Sequence, residues 1–254
     1  MIDSHCHLDF AAFSDDLARV LRASHAAGVT RFLNPGVNPA GWQRQSDIAL
    51  HYGDIDLAFG YHPWFLPDSS EGLAERLEAA LDTAPPSLVA VGEIGLDATT
   101  GTPAHVQEAI FTVQLKLAKS RGLPVILHHR KTHHRLLGLL KQTGFDCGGI
   151  IHAFSGSEQD ARKYRDLGFL LGIGGTVTYE RAQKTRQTIA AMTPEDIVLE
   201  TDSPDMPVAG KQGERNTPAN LPEVVTALSA IWQMETQAIV TQTTKNYCRL
   251  FALP

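Results

Sequence analysis

The chain has 254 residues, of which 43 % are hydrophobic and 20 % are charged. This composition is typical of a globular protein and excludes a disordered chain, a collagen-like chain and a long coiled coil. The formal net charge of −6 argues against a broad basic surface that binds duplex nucleic acid through many phosphates.

Short apolar runs recur along the chain and predict eight β-strands. These runs are Ile2–His7, Thr30–Pro35, Ile55–His62, Leu88–Glu93, Pro124–His128, Gly149–Ala153, Phe169–Ile173 and Ile197–Asp202. Because the runs are mostly apolar and do not alternate with polar residues, they favour a parallel sheet whose faces are covered by helices.

Amphipathic stretches lie between the apolar runs. Leu17, Val20 and Leu21 have helical spacing, with a candidate N-cap at Ser14 and a glycine stop at Gly28. A second helix is predicted from about Pro103, in its first turn, to Ser120. The tail, Pro218 to Leu253, is predicted to form two helices that pack outside the strands.

Alternation of eight strands with helices favours closure into a barrel, for which about 250 residues suffice. The predicted fold class is therefore α/β: a single (β/α)8 TIM barrel with an additional C-terminal helix, forming one domain over residues 1–254. A doubly wound open sheet is the alternative.

Cys6, Cys147 and Cys248 are scattered and lack CxxC spacing, which favours a reducing compartment over a disulfide framework. The first residues lack the basic and apolar regions of a signal peptide, and no run of about 18 uncharged apolar residues occurs. We therefore expect a cytoplasmic protein without membrane contact, and no protein partner is evident.

His5 and His7 lie two residues apart at the end of the first predicted strand. Period-two alternation points both imidazoles to one side, where they can share one metal ion. The alternative for each is a strand-end histidine that is only hydrogen-bonded.

Further candidate ligands end four other predicted strands: Glu93, His128, His152 and Asp202. In a parallel barrel the carboxyl ends of the strands open on one face, so these residues are expected to converge. Each also has a structural interpretation, as a cap, a rim histidine or a polar core residue. A buried cluster of carboxylates without counter-charge would be costly, however, and metal ions would remove that cost.

Four histidines and two carboxylates exceed the ligands that one tetrahedral ion needs, which indicates a two-metal site bridged by Glu93. Two ions about 3.5–4 Å apart can activate a bridging water and bind both the attacking and the leaving oxygen of a displacement. The predicted cofactors are two divalent ions per subunit. Nitrogen and oxygen ligands suit zinc or manganese, and magnesium would prefer a site richer in oxygen.

The segments MIDSHCHLDF, GYHPW, VGEIGLD, LHHR, IHAFSGS and ETDSP occur in this order. Together they resemble the TatD family of metal-dependent hydrolases, which are amidohydrolase-like TIM barrels, and the resemblance extends from Ile2 to Val225. It implies hydrolysis of phosphodiester bonds in DNA, and other hydrolase roles in some members. It also implies that one metal is held by His5, His7 and Asp202, that Glu93 bridges, and that the second metal is held by His128 and His152.

His62 and Arg130 are candidate substrate-binding residues, because an imidazole and a guanidinium can both donate hydrogen bonds to a phosphate. The alternatives are a histidine packed on Pro63 and a surface ion pair. A local basic patch, predicted on the loop after the fifth strand, could steer a nucleic-acid end or could be the solvated start of a helix. It comprises Arg130, Lys131, His133, His134 and Arg135.

The predicted function is metal-dependent hydrolysis of phosphodiester bonds, as a DNase or exonuclease, with DNA or a small phosphodiester as substrate. The predicted catalytic residues are Asp202, Glu93, His62 and Arg130. A metal-bound hydroxide would attack phosphorus, Asp202 would ligate metal and accept the proton of the attacking water, and His62 and Arg130 would neutralise developing charge. An amide, ester or lactone hydrolase with the same two metals, and a metal-binding barrel without catalysis, are the alternatives.

Overall fold

The computed structural model describes residues 1–67 and 71–253, and its sheet contains eight parallel strands in the order of the sequence. The strands are β1 Ile2–Asp3, β2 Arg31–Pro35, β3 Ile55–Phe59, β4 Leu88–Asp97, β5 Val125–Arg130, β6 Gly149–Ile151, β7 Phe169–Ile173 and β8 Ile197–Leu199. The helices of the described residues are α1 Leu17–Ala26, α2 Pro39–Tyr52, α3 Leu73–Asp82, α4 Ala104–Ser120, α5 His133–Thr143, α6 Glu158–Asp166, α7 Gln183–Ala190, α8 Leu221–Trp232 and α9 Thr236–Leu250. This alternation confirms the predicted α/β barrel.

Hydrogen bonds join the first strand of the sheet to the last. The Ser4 amide donates to the Leu199 carbonyl at 2.8 Å, and the Asp202 amide donates to the His5 carbonyl at 2.9 Å. The same two segments carry His7, so closure of the barrel brings three predicted ligands side by side.

One buried apolar side chain from each strand fills the barrel interior: Ile2, Leu33, Ala58, Ala90, Ile126, Ile150, Leu170 and Val198. Tyr247 of α9 and the following Phe251 pack against this layer. Tyr247 also reaches Asp56, near the start of β3, so α9 covers the amino-terminal end of the barrel. The tail therefore forms two helices, α8 and α9, as predicted.

Several strands end at other residues than the sequence predicts. β1, β6 and β8 are shorter, so His5, His7, His152 and Asp202 lie in the loops that follow these strands. Positive φ angles at Ala153 (46°) and Asp202 (58°) turn the chain out of the extended conformation.

The third strand also ends early, at Phe59, before His62, whereas β4 and β5 continue beyond the predicted ends. Glu93 and His128 consequently lie inside their strands, and pairing continues to Asp97 and Arg130. Gly95 allows this close pairing, because a Cβ there would lie 2.0 Å from the carbonyl oxygen of His128.

Two predicted helix starts differ from the structure by only one or two residues. Asp16 precedes α1, because Ala11–Phe13 form a 3₁₀ turn that ends at Ser14. Pro103 precedes the first turn of α4 instead of lying in it. The predicted stop after α1 is confirmed, since Gly28 adopts a φ of 87°. No helix within the described ranges is long and apolar enough to cross a membrane.

Candidate metal centre

The predicted ligands surround the carboxylate of Glu93, which is only 2 % exposed. Its Oε2 atom lies 3.2 Å from His5 Nε2 and 3.6 Å from His7 Nε2. Its Oε1 atom lies 3.1 Å from His128 Nδ1. One carboxylate thus has its two oxygens directed at different imidazoles, which is the arrangement that a bridging ligand requires.

Asp202 lies beside the same histidines. Its Oδ1 atom is 3.7 Å from His5 Nε2, 3.6 Å from His7 Nε2 and 3.4 Å from His152 Nε2. The His152 ring also stacks on the His5 ring, with centroids 3.5 Å apart. We call the six predicted ligands the Glu93 cluster: His5, His7, Glu93, His128, His152 and Asp202.

The hydrogen bond that His7 makes on the side away from the cluster shows which ring nitrogen carries the proton and which carries a lone pair. The Pro35 carbonyl oxygen lies 3.2 Å from His7 Nδ1 and can only accept, so Nδ1 carries the proton. Burial and the neighbouring His5 lower the pKa of His7, which keeps this ring neutral. A lone pair on Nε2 that faces two carboxylates calls for a cation between them, so these donors fit a divalent metal ion.

Carboxylates also face the outer nitrogens of His128 and His152. Asp97 Oδ2 lies 3.0 Å from His128 Nε2, and Glu200 Oε1 lies 3.0 Å from His152 Nδ1. Asp97 can accept the outer proton of His128 and leave the inner nitrogen facing Glu93, as in carboxylate–histidine–metal sites. Glu200 faces His152 as a charge partner only, because His152 Nδ1 makes no hydrogen bond to any described residue. Burial lowers the pKa of both histidines, but the facing carboxylates outweigh it and raise both pKa values above the ordinary one.

The two central carboxylates are ionised. Burial raises the pKa of Glu93 and of Asp202, but the surrounding imidazoles outweigh it and hold both pKa values below the ordinary range. The cluster therefore combines two carboxylate charges with imidazole nitrogens, and it opens to solvent on the side of His128 and Asp202, whose side chains are 18 % and 16 % exposed.

His62 differs from His7 in the ring nitrogen that carries the proton. The Trp64 amide donates to His62 Nδ1 at 3.1 Å, so the proton of the neutral ring is on Nε2, 3.4 Å from Glu93 Oε1. Burial lowers the pKa of His62 and favours that neutral form. Distances alone also group His62 with Glu93 and His128 as candidate ligands. The hydrogen bond at Nδ1 instead indicates that His62 is a hydrogen-bond donor and not a metal ligand, because it leaves no lone pair on Nε2.

Arg130 is exposed at the end of β5, two residues beyond His128 and therefore on the same face of the strand. The basic patch is not confined to a loop. Its residues from His133 onwards form the first turn of α5, and the Arg135 guanidinium is bound by Glu108, with Nε 2.7 Å from Oε1. Arg130 and Lys131 are the patch cations nearest to the strand end.

Three buried carboxylates beside the cluster are not among the predicted site residues: Asp3, Asp97 and Glu200. Asp3 accepts hydrogen bonds from the amides of His5 and Thr201, and burial raises its pKa to about 7. Each missed residue lies an even number of positions from a predicted ligand, so period-two alternation was the signal that could have found it.

A family model described as TatD related DNase matches residues 2–252. The chain is 40 % identical to the uncharacterized metal-dependent hydrolase YjjV of Escherichia coli K12, over 100 % of this chain and 98 % of the relative. It is 34 % identical to a Klebsiella pneumoniae protein named 3'-5' ssDNA/RNA exonuclease TatD, with the same two coverages.

The crystal structure of the E. coli protein YjjV matches the whole chain with a TM-score of 0.95, at 40 % identity and with 98 % of that structure covered. A hydrolase of the TatD family from Entamoeba histolytica matches with a TM-score of 0.86 at 20 % identity, over 99 % of this chain and 97 % of that structure, and supports the fold alone. From the barrel, the Glu93 cluster and the match over residues 2–252 we conclude that this chain belongs to the TatD-related DNase family of metal-dependent hydrolases.

Proposed function

We propose that this chain hydrolyses phosphodiester bonds with two divalent metal ions bound in the Glu93 cluster. The observation that carries the proposal is that Glu93 directs one oxygen at His5 and His7 and the other at His128. His5, His7 and Asp202 would hold one ion, and His128 and His152 would hold the other. The exonuclease name of the relative from K. pneumoniae supports the phosphodiester as the bond that is cleaved.

Two such ions, when bound, polarise a phosphoryl oxygen and lower the pKa of a water. The protein supplies the remaining groups. Asp202 is ionised at the edge of the cluster and can accept the proton of the attacking water. The Nε2–H group of His62 can donate to an oxygen of the phosphate, and Arg130 can bind its non-bridging oxygens. The substrate would be DNA or a small phosphodiester. The location would be the cytoplasm, where free thiols such as the three cysteines of this chain are stable.

The proposal is tested on protein that has been stripped with a chelator and reconstituted with zinc, manganese or magnesium. Metal content is measured by mass spectrometry, and hydrolysis is measured on bis-p-nitrophenyl phosphate, single-stranded DNA, a p-nitrophenyl ester and a lactone. We expect about two ions per chain and metal-dependent cleavage of the phosphodiesters.

Glu93→Gln should lose both metal and activity, whereas Glu78→Gln on the surface of α3 should retain both. Cleavage of the ester or lactone without cleavage of a phosphodiester would identify a carbonyl hydrolase. Stoichiometric metal without any hydrolysis would identify a barrel that has no catalytic role.

A further inference from the structure

Two exposed aromatic side chains stand beside the Glu93 cluster. Within residues 1–67 and 71–253, the exposed large apolar side chains are Leu50, Trp64, Phe65 and Met234. Trp64 and Phe65 are consecutive, are 58 % and 47 % exposed, and follow His62 by two and three residues. Leu50 lies on α2 and Met234 follows α8. An aromatic pair at the rim of a polar site indicates a surface for an apolar part of a ligand.

Trp64 is tied to the cluster through both its backbone and its indole. Its amide donates to His62 Nδ1, and its Nε1 atom donates to Asp97 Oδ2 at 2.7 Å. The same carboxylate oxygen lies 3.0 Å from Nε2 of His128. The nitrogen edge of the indole therefore contacts the site, while more than half of the side chain stays open to solvent. A ring held in this way loses little freedom when a ligand stacks on it.

Phe65 extends the same surface. Its ring centroid lies 5.9 Å from that of His62, and its amide donates to the His62 carbonyl at 2.9 Å. Both aromatic residues are thus positioned by contacts with His62, whose Nε2 faces Glu93. A ligand that lies on Trp64 and Phe65 would place its neighbouring groups over the cluster.

We propose that Trp64 and Phe65 form a base-stacking subsite, which binds an unpaired nucleobase next to the phosphodiester bond that is cleaved. This inference rests on the proposed function and assigns to Trp64 and Phe65 the contact with the base beside the cleaved bond. Aromatic faces bind single strands by stacking, largely without regard to sequence, because every base has a π-face. In a duplex the faces of the bases are covered by their stacked neighbours, so the subsite selects an unpaired end.

The charge of the molecule is consistent with this mode of binding. A chain with a net charge of −6 does not attract a polyanion over long distances, so the affinity must come from local contacts. Stacking supplies such a contact, and removal of one stacking side chain typically weakens binding by about 5- to 150-fold.

The subsite is tested by fluorescence anisotropy with a labelled single-stranded DNA and a strand of equal length made entirely of abasic nucleotides. The full chain is used after chelator treatment, when neither strand is cleaved, so that binding is read independently of activity. We expect the wild-type protein to bind the intact strand at least about tenfold more tightly than the abasic strand.

Trp64→Ala should bring this affinity ratio close to one, and Phe65→Ala should lower it. Trp64→Phe should keep most of it, because an aromatic face remains. Leu50→Ala, at an exposed apolar residue on α2, is the matched control and should keep the wild-type ratio. Thermal unfolding verifies that each variant is folded.

Equal affinity of the wild-type protein for both strands, or an unchanged ratio in Trp64→Ala, overturns the subsite. If Trp64 served only to orient Asp97, both Trp64 variants would lower turnover and leave the affinity ratio intact, which also overturns it. Failure of the proposed function is a separate result, in which metal-loaded protein cleaves no phosphodiester although the tenfold ratio persists.

Discussion

The histidines in and beside the Glu93 cluster differ in which ring nitrogen carries the proton. Pro35, Asp97 and Glu200 each face the outer nitrogen of a histidine, whereas the Trp64 amide donates to His62. Histidine is therefore suited either to metal ligation or to hydrogen-bond donation, depending on what the ring nitrogen that points away from Glu93 contacts.

Asp202→Asn tests the proton acceptor, because it keeps the shape of the side chain and removes its charge. We expect turnover to fall by about 10²- to 10⁴-fold, the usual contribution of a general base, while the far-ultraviolet circular dichroism spectrum stays unchanged. Asp47→Asn on α2 is the matched control. Wild-type turnover in the Asp202 variant would remove this residue from the mechanism.

Arg130→Ala tests the phosphate contact at the end of β5. Loss of hydrogen bonds to a charged group should raise KM for a phosphodiester by about tenfold or more, with bound metal unchanged. Steady-state kinetics and metal analysis check this expectation. Arg22→Ala, at an exposed arginine of α1, should leave KM as in the wild type, and equal kinetics in the Arg130 variant would contradict the assigned role.

At the scale of elements, α9 is held to the base of the barrel by a buried polar contact. The Tyr247 hydroxyl donates to Asp56 Oδ2 at 2.7 Å, and Arg31 binds both oxygens of that carboxylate at 2.6 and 2.8 Å. Burial and the Asp56 carboxylate raise the pKa of Tyr247, so its hydroxyl remains a donor. The contact joins the last helix to β2 and β3.

Tyr247→Phe removes this donor from a buried carboxylate. We expect the free energy of unfolding, measured with urea, to fall by about 1.5–3 kcal/mol. Tyr52→Phe on α2 is the matched control, since its hydroxyl makes no hydrogen bond to any residue that the structure describes. A loss no larger than that of the control would show that α9 is held by apolar contacts alone.

For the whole molecule, an ion pair on the outside joins residues that are 199 positions apart. Arg215 binds the Asp16 carboxylate through two hydrogen bonds, of 2.9 and 2.7 Å. These bonds, with a further one from Arg19, lower the pKa of Asp16 from 3.8 to about 2. Because the pKa in the folded state is lowered, the pair stabilises the protein above pH 3.8, and this contribution disappears as the pH falls towards 2.

Urea unfolding of the wild-type protein and Asp16→Asn between pH 2 and pH 6 measures that contribution. The wild type should be more stable above about pH 4, and the two proteins should converge near the lower end of the range. A difference that stays constant across the range would show that Asp16 acts through packing and not through its charge.

The barrel interior takes one side chain from every strand, so we expect residues 1–254 to unfold as one domain. Far-ultraviolet circular dichroism and tryptophan fluorescence should then report one coincident thermal transition. Two separate transitions would contradict the prediction of a single domain.

The alternation of strands with helices, and the choice of histidines and carboxylates near the strand ends, could be determined from the sequence by itself. Both depend on residue type and on the spacing between near neighbours in the chain, and the periodicity of strands and helices shows that spacing directly in the sequence. The strand ends were less predictable, because a positive φ at Ala153 or Asp202 is settled by the loop that surrounds it.

Only the tertiary structure decided that Glu93 faces two groups of imidazoles and that Asp97 orients His128. It also decided that His62 directs a proton at Glu93. These relations join residues tens of positions apart in the sequence, and closure of the barrel extends them to Asp3 and Thr201, which are 198 apart. Their distances follow from the closure and register of the sheet, which local periodicity does not encode.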